Sequence, residues 1–345
     1  MGYQRPYTLL KNRPRSWPFV LLISIVTIYL YPWRDQAAPG SSDNRGSNRA
    51  SWLELANVFE EVVMSKHSLD EAMIAVNFYQ THEQHFGNKD DFDFLKALFS
   101  FTCDDSPLIM VCGTNEGQSI SQILASCPKT RIHGFEIQKE MHATASRVFM
   151  DKPNVHIHYK GLSSGYGTLD VTGRGETAGL YKPEGRWSGE MQQGPVSVLT
   201  PAGFLREQGF HDIFYFLIDV EGHEQEVIKG MELETNADRF PLFQYELGGT
   251  WADSRRSGPW TQFTTALYLE MNGYDVYLIG SKDGQPALLP TPPEFFRYSR
   301  VHHEGSENGG QKYFVQGNAL AVHKIHANPS ILAIVKAAVR YAETF

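Results

Sequence analysis

Four ionisable side chains fall within six consecutive residues, Asp219-Val220-Glu221-Gly222-His223-Glu224. They end the apolar run Phe214 to Val220, which reads as a fully buried parallel strand. In open α/β sheets, ligands bind beyond the carboxyl ends of the strands, so this cluster is placed to do chemistry. An imidazole flanked by carboxylates suits proton removal from a hydroxyl, worth ~10²–10⁴-fold. His223 is the candidate base, with Asp219 or Glu221 orienting it or the acceptor. Alternation along an extended chain puts Asp219 and Glu221 on one side, and Gly222 permits the turn into the next helix. The structural alternative is that the carboxylates cap that helix and His223 satisfies a carbonyl. A divalent ion held by Asp, Glu and His is a further alternative, but no metal is assigned. Glu246, ending the strand Leu242 to Leu247, is expected on the same rim as a substrate-binding residue. Trp251 and Arg255 follow in the stretch Gly248 to Trp260, where they could stack on a sugar ring or meet an anionic acceptor.

A second constellation precedes the first. The strand Leu108 to Cys112 leads into Gly113-Thr114-Asn115-Glu116-Gly117, whose glycines allow a sharp turn and close backbone approach to a ligand. The strand Arg131 to Glu136 ends in an acidic residue 23 positions after Gly113, where a carboxylate accepts hydrogen bonds from a ribose diol. The third glycine of the dinucleotide fingerprint is missing, and with it the cradle for a pyrophosphate. S-Adenosylmethionine has the ribose without the phosphates, so it is the preferred cofactor over NAD.

These residues lie in a chain that resembles the FkbM family of S-adenosylmethionine-dependent methyltransferases over about Leu108 to Glu246. The resemblance rests on Val111-Cys112-Gly113-Thr114-Asn115-Glu116-Gly117, on Phe135-Glu136-Ile137, on Asn154-Val155 with Leu162-Ser163, and above all on Ile218-Asp219-Val220-Glu221-Gly222-His223-Glu224. It implies a Rossmann-like class I methyltransferase: a mainly parallel seven-stranded sheet with helices on both faces. It also implies cofactor contacts from Gly113, Asn115, Gly117, Glu136, Leu162, Ser163 and Asp219. The chain departs from the family pattern at Val111, Leu217 and Thr200-Pro201-Ala202, each replacing a polar residue or motif.

The supporting elements follow from hydrophobic periodicity. Helices are expected after Gly117 through Ser126, over Lys139 to Met150 and over Asp91 to Phe101, and Ser68 opens a capping-box pattern. Further strands are expected at Val155 to Tyr159, Asp275 to Ile279 and Ala319 to His323. Gly161 to Gly194, rich in Gly, Ser and Thr, is expected to be a lid or a mobile insertion.

The chain has 345 residues, and its net charge of −8 argues against a general nucleic-acid binder. The first 34 residues contain no acidic residue, and four basic ones precede the uncharged run Ser16 to Trp33. At ~1.5 Å per residue that run just crosses a hydrocarbon core of ~27–30 Å. The basic flank predicts a single-pass type II membrane protein of the Golgi or endoplasmic reticulum, with its catalytic domain lumenal; a cleaved signal peptide is the alternative. The expected organisation is a basic tail (1–16), anchor (17–33), flexible stem (34–50), helical segment (51–106), methyltransferase domain (107–326) and carboxyl-terminal helix (327–345). Cys103, Cys112 and Cys127 read as buried apolar cysteines, with a Cys103–Cys127 bridge open to an oxidising lumen. The expected activity is O-methylation of a hydroxyl-bearing acceptor, a glycan or a small molecule. The alternatives are an inactive scaffold of the same fold and, more distantly, an NAD-dependent oxidoreductase.

Overall fold

The computed structural model describes residues 66–86, 92–100, 103, 106–172, 180, 192–247, 261–298, 315 and 317–345. The expected tail, anchor and stem, the helix before residue 66, and the stretch Gly248 to Trp260 with Trp251 and Arg255 lie outside them. Among the described residues no helix is long and apolar enough to cross a membrane.

Two helices, α1 (Lys66–His82) and α2 (Phe92–Ser100), precede the sheet. Helix α1 begins ahead of Ser68, so the expected capping box does not set its start. The strands are β1 (Leu108–Cys112), β2 (Arg131–Glu136), β3 (Val155–Tyr159), β4 (Gly161–Leu162), β5 (Gly167–Thr172), β6 (Gln192–Leu199), β7 (Tyr215–Ile218), β8 (Leu242–Leu247), β9 (Tyr274–Lys282), β10 (Gln285–Pro290) and β11 (Gly317–His323). Between and after them run α3 (Gln118–Ser126), α4 (Lys139–Val148), α5 (Pro201–Gln208), α6 (Glu224–Lys229), α7 (Leu233–Asn236), α8 (Gln262–Met271), α9 (Pro293–Tyr298) and α10 (Pro329–Ala342).

The main sheet has eight strands in the order β10-β9-β11-β8-β7-β1-β2-β3. Strands β8, β7, β1, β2 and β3 are parallel neighbours, and β11 lies antiparallel between β8 and β9. Seven of these strands match the expected Rossmann-like sheet; the eighth, β10, folds back on β9 through Asp283 and Gly284, both at positive φ. The open dinucleotide-binding order 3-2-1-4-5-6 is thus interrupted by a reversed strand.

Alternation sorts the strand side chains into two apolar layers. Met110, Cys112, Phe135, Phe216, Ile218 and Phe243 face one cluster, which takes in residues of α1, α5, α6, α8 and α9. Ile109, Val111, Ile132, Tyr215, Leu217 and Leu242 face the other, with residues of α2, α3 and α10. Val111 and Leu217, the positions where this chain departs from the family, therefore sit in the second apolar layer.

The segment expected as a lid contains a second sheet, β4-β6-β5. Leu169 and Val171 of β5 pack with Val196 and Val198 of β6, a period-two pattern hidden among Gly and Thr. Thr200 is an N-cap: its hydroxyl accepts the Gly203 N–H at 2.9 Å, and Pro201 occupies the first turn of α5.

Cys103 and Cys127 form a disulfide, with Cα atoms 5.2 Å apart, while Cys112 is free and buried. Burial raises the Cys112 thiol far above its usual range. Denaturing the unreduced protein should expose one titratable thiol per chain, against three after reduction. Reduction should lower stability in urea by about 3–4 kcal/mol for a bridge of sequence separation 24. Three thiols without reductant would exclude the bridge.

Candidate functional site

Strands β1 and β7 are adjacent, and their carboxyl ends mark the point where the chain order of the sheet reverses. Crevices open at such switch points. The two ends are locked together. The Asp219 N–H donates to the Cys112 carbonyl at 2.9 Å, and the Gly113 and Thr114 N–H groups reach the Phe135 carbonyl at 3.0 and 3.2 Å. Gly113 has φ +85°, and a Cβ there would collide with the Asp219 carbonyl. Gly117, at φ +100°, starts α3 where a Cβ would collide with the Phe149 ring.

Glu136 is 3% exposed and closes the turn from the β2 side. Its Oε2 accepts the Asn115 N–H at 2.7 Å, and its Oε1 accepts the Gln138 N–H at 2.8 Å. Asn115 adopts φ +47°, a left-handed geometry that Asn tolerates. Burial raises the Glu136 pKa, and the backbone donors oppose that rise. The Ile137 N–H adds to these two, and together they leave part of the carboxylate's acceptor capacity unused. The nearby Thr114 hydroxyl is buried without a hydrogen-bond partner. A fixed carboxylate beside an orphaned hydroxyl fits a ligand that brings its own hydroxyl donors.

Beyond β7 the chain turns through Glu221 at φ +55° and Gly222 at φ +98°. Glutamate at positive φ is uncommon, and surrounding structure must hold it. Glu224 supplies that hold. Fully buried, its Oε1 accepts the Val220 and Gly222 N–H groups at 3.0 and 3.2 Å, while its Oε2 has no hydrogen-bond partner. Burial raises its pKa to about 7. Residue type within the motif announced an acidic cluster, but only the fold shows that Glu224 is the residue that shapes the turn.

Asp219 is exposed at the rim, and Glu221 and Glu246 are half-buried beside it; each offers a carboxylate oxygen within 4.8 Å of the others'. Three oxygens at this spacing are a hard donor set that suits Mg²⁺, Mn²⁺ or Ca²⁺. Burial first, then the charges of Asp219, Glu224 and Glu221, raises the Glu246 pKa to about 9. The protonated form of Glu246, hydrogen-bonded to Asp219, is thereby favoured.

His223 departs from its expected place. It is 2% exposed, and its Nε2 lies 3.0 Å from the Ser163 hydroxyl rather than in the crevice. Burial lowers its pKa to about 4, so it is neutral and weakly basic. Ser163 and Leu162 are both buried. The Ser163 N–H donates to the Leu199 carbonyl at 2.9 Å, and the Leu162 backbone meets the Cys112 thiol beneath the first turn. Asn115 and Glu136 thus meet at the Gly113 turn and Asp219, Glu221 and Glu246 at one rim, while Leu162, Ser163 and His223 are buried.

No family model matches the chain, and no curated protein matches it. Solved structures resemble it weakly. An O-methyltransferase from Bacillus cereus in complex with SAH is 10% identical, with TM-score 0.37, over 80% of this chain and 100% of that one. The O-methyltransferase TomG from Streptomyces achromogenes, in complex with SAM, is 11% identical, with TM-score 0.35, over 80% and 98%. An rRNA methylase from Streptococcus thermophilus is 9% identical, with TM-score 0.34, over 68% and 97%. Identities and TM-scores this low leave this chain's own geometry to decide its chemistry.

Glu224 binds its proton more tightly folded than unfolded. Between the usual glutamate value near 4.5 and about 7 the folded state holds more protons, so stability falls as pH rises through that window. Glu224→Gln keeps an acceptor for the two N–H groups and removes the titration. Thermal midpoints measured from pH 5 to 8 should decline less steeply in this variant than in the parent. An unchanged slope would reject the assigned burial of the charge.

Proposed function

We propose that the crevice at the carboxyl ends of β1, β2 and β7 binds S-adenosylmethionine, and that the chain is an O-methyltransferase for a hydroxyl-bearing acceptor. The observation that carries this reading is Glu136, fixed by backbone N–H groups beside the Gly113 turn, with acceptor capacity left for a ribose diol. When bound there, the cofactor supplies an electrophilic methyl group on a positively charged sulfur. The acidic surroundings from Asp219, Glu221 and Glu136 favour that charge.

Methyl transfer gains most from holding the acceptor oxygen in line, where a preformed rim of side chains does the positioning. The protonated Glu246 donates to Asp219 and fixes its orientation. Asp219 and Glu221 stand at the rim to accept the proton of the acceptor hydroxyl. His223 is buried and acts through Ser163, so it is a positioning residue for the Leu162-Ser163 segment.

Two alternatives lose ground. A dinucleotide would need the missing third glycine, and the reversed β11 departs from the dinucleotide-binding order. An inactive scaffold drew on Val111 and Leu217, yet both point into the apolar layer with α2, α3 and α10, so neither change empties the crevice. We also infer a lumenal placement and a glycan as the acceptor. The Cys103–Cys127 disulfide supports an oxidising compartment, and the basic tail with its apolar run supports the type II orientation.

Calorimetry with S-adenosylmethionine tests the cofactor. The parent chain should bind it, and Glu136→Ala should weaken binding by at least ~10-fold, the cost of a lost charge-assisted contact. No binding at millimolar ligand would sink the enzyme reading. With labelled cofactor and a lumenal extract as acceptor source, Asp219→Asn should lower turnover by ~10²–10⁴-fold. If turnover is unaffected in both Asp219→Asn and Glu221→Gln, neither carboxylate takes the proton.

A further inference from the structure

The amino-terminal ends of β2 and β3 open onto a cavity of about 580 Å³, the size of a small-molecule site. Its lining holds one guanidinium, Arg131, and three imidazoles, His133, His156 and His158. Pro153 and Phe210 add apolar walls, and no carboxylate lines it. In the parallel register His133 pairs with His156, and Phe135 with His158. Alternation puts Arg131, two residues before His133, on that same face.

The charge on this face is uncompensated. Arg131 is exposed, and among the described residues no carboxylate pairs with it. Burial first, then neighbouring imidazoles and cations, lowers the pKa of His133 and His158 to about 4. Those neighbours are His156 and Arg131 for His133, and His156, Lys160 and His142 for His158; no acidic group opposes them. Both rings are therefore neutral at physiological pH. Phe204 packs edge-on against both at 5.3 Å, and Phe135 stacks on His158 at 4.9 Å, so the rings are held in place.

His133 Nδ1 and His158 Nε2 share a hydrogen bond of 3.0 Å. In the neutral pair one ring donates that bond and keeps a bare nitrogen on its far side. A proton added at that bare nitrogen makes the donor an imidazolium and strengthens the shared bond. Each ring then carries a second N–H, on His133 Nε2 and His158 Nδ1. An anion in the cavity supplies the opposite charge that favours this protonation.

We propose that this cavity binds a phosphomonoester of a small organic molecule, its phosphate held by Arg131 and the His133–His158 pair and its organic part against Pro153 and Phe210. The pair takes up one proton from solvent on binding, and no bond of the ester breaks. A guanidinium fork matches two phosphate oxygens, and the imidazolium pair meets the remaining charge. A carboxylate carries one charge, so it would leave one of these two cations unmatched. His156, exposed with its ring 5.0 Å from that of His133, offers a further imidazole. The site lies at the other end of β2 from Glu136 and is independent of the proposed methyl transfer.

Titration calorimetry of the full chain in detergent with phenyl phosphate at neutral pH tests this. One ligand per chain is expected, with proton uptake read from buffers of different ionisation enthalpy. Arg131→Gln, an exposed change, should weaken binding by ~10-fold or more, the scale of a lost charge-assisted contact. His158→Phe keeps the ring packing; it should weaken binding and abolish the proton uptake. Inorganic phosphate should bind more weakly than the ester, and so should benzoate. Asp219→Asn should bind phenyl phosphate as the parent does, which separates this site from the methyl-transfer rim. No binding at ~1 mM phenyl phosphate would overturn the proposal. So would inorganic phosphate or benzoate binding as tightly as the ester, or affinity unchanged in both Arg131→Gln and His158→Phe.

Discussion

The site depends on the contact between Gly113 and the backbone of Asp219. A side chain at 113 would collide with that carbonyl, so only glycine lets β1 and β7 end side by side. The Asp219 N–H on the Cys112 carbonyl and the Gly113 N–H on the Phe135 carbonyl then tie three strand ends into one rim. Asn115 can reach the Glu136 carboxylate only because the chain turns back at that point. Loss of this approach would separate the Glu136 carboxylate from the Asp219 rim, whatever the residue types on each.

Charge crowding follows from the same closeness. Glu136, Glu224 and Glu246 all have raised pKa values, with burial as the leading cause in each. Backbone N–H groups offset the cost for Glu136 and Glu224; a retained proton offsets it for Glu246. Buried charge of this kind is poor design for stability and a recurrent feature of functional sites. A cation delivered to the rim, whether a sulfonium or a divalent ion at Asp219, Glu221 and Glu246, would relieve the repulsion among these carboxylates.

Much of the framework was legible in the sequence because the two strands at the middle of the sheet, β1 and β7, are apolar throughout and turn signals bound the others. Leu108–Cys112, Arg131–Glu136, Val155–Tyr159 and Leu242–Leu247 form as expected. The second sheet was not legible: β5 and β6 interleave Val and Leu with Gly, Asp, Ser and Pro, so their alternation is diluted below recognition. Thr200-Pro201 looked like a lost polar motif and is an N-cap with its proline in place, a local chemistry that needs the helix to be seen. Among the candidate site residues, types and spacing pointed to the strand ends where Gly113, Glu136 and Asp219 lie. They could not tell which member of Asp219 to Glu224 faces it, because left-handed geometry at Glu221 and Gly222 breaks the alternation that a strand would impose. His223 is turned inward to Ser163 by that break, and Glu224 is turned back onto the loop.

The two faces of β2 show how one strand can serve two ends of a molecule. Its carboxyl end supplies Glu136 to the crevice, while His133, three residues earlier, looks into the cavity beside α5. Phe135 lies between them and stacks on His158 at 4.9 Å, and its carbonyl accepts the Gly113 and Thr114 N–H groups. A shift of β3 against β2 would therefore be felt at both ends. The parallel register from Ile132–Val155 to Glu136–Tyr159 resists such a shift, because a one-residue slip would swap the imidazole and aliphatic faces of β3. The histidines are thus fixed by the same pairing that holds Glu136 in place.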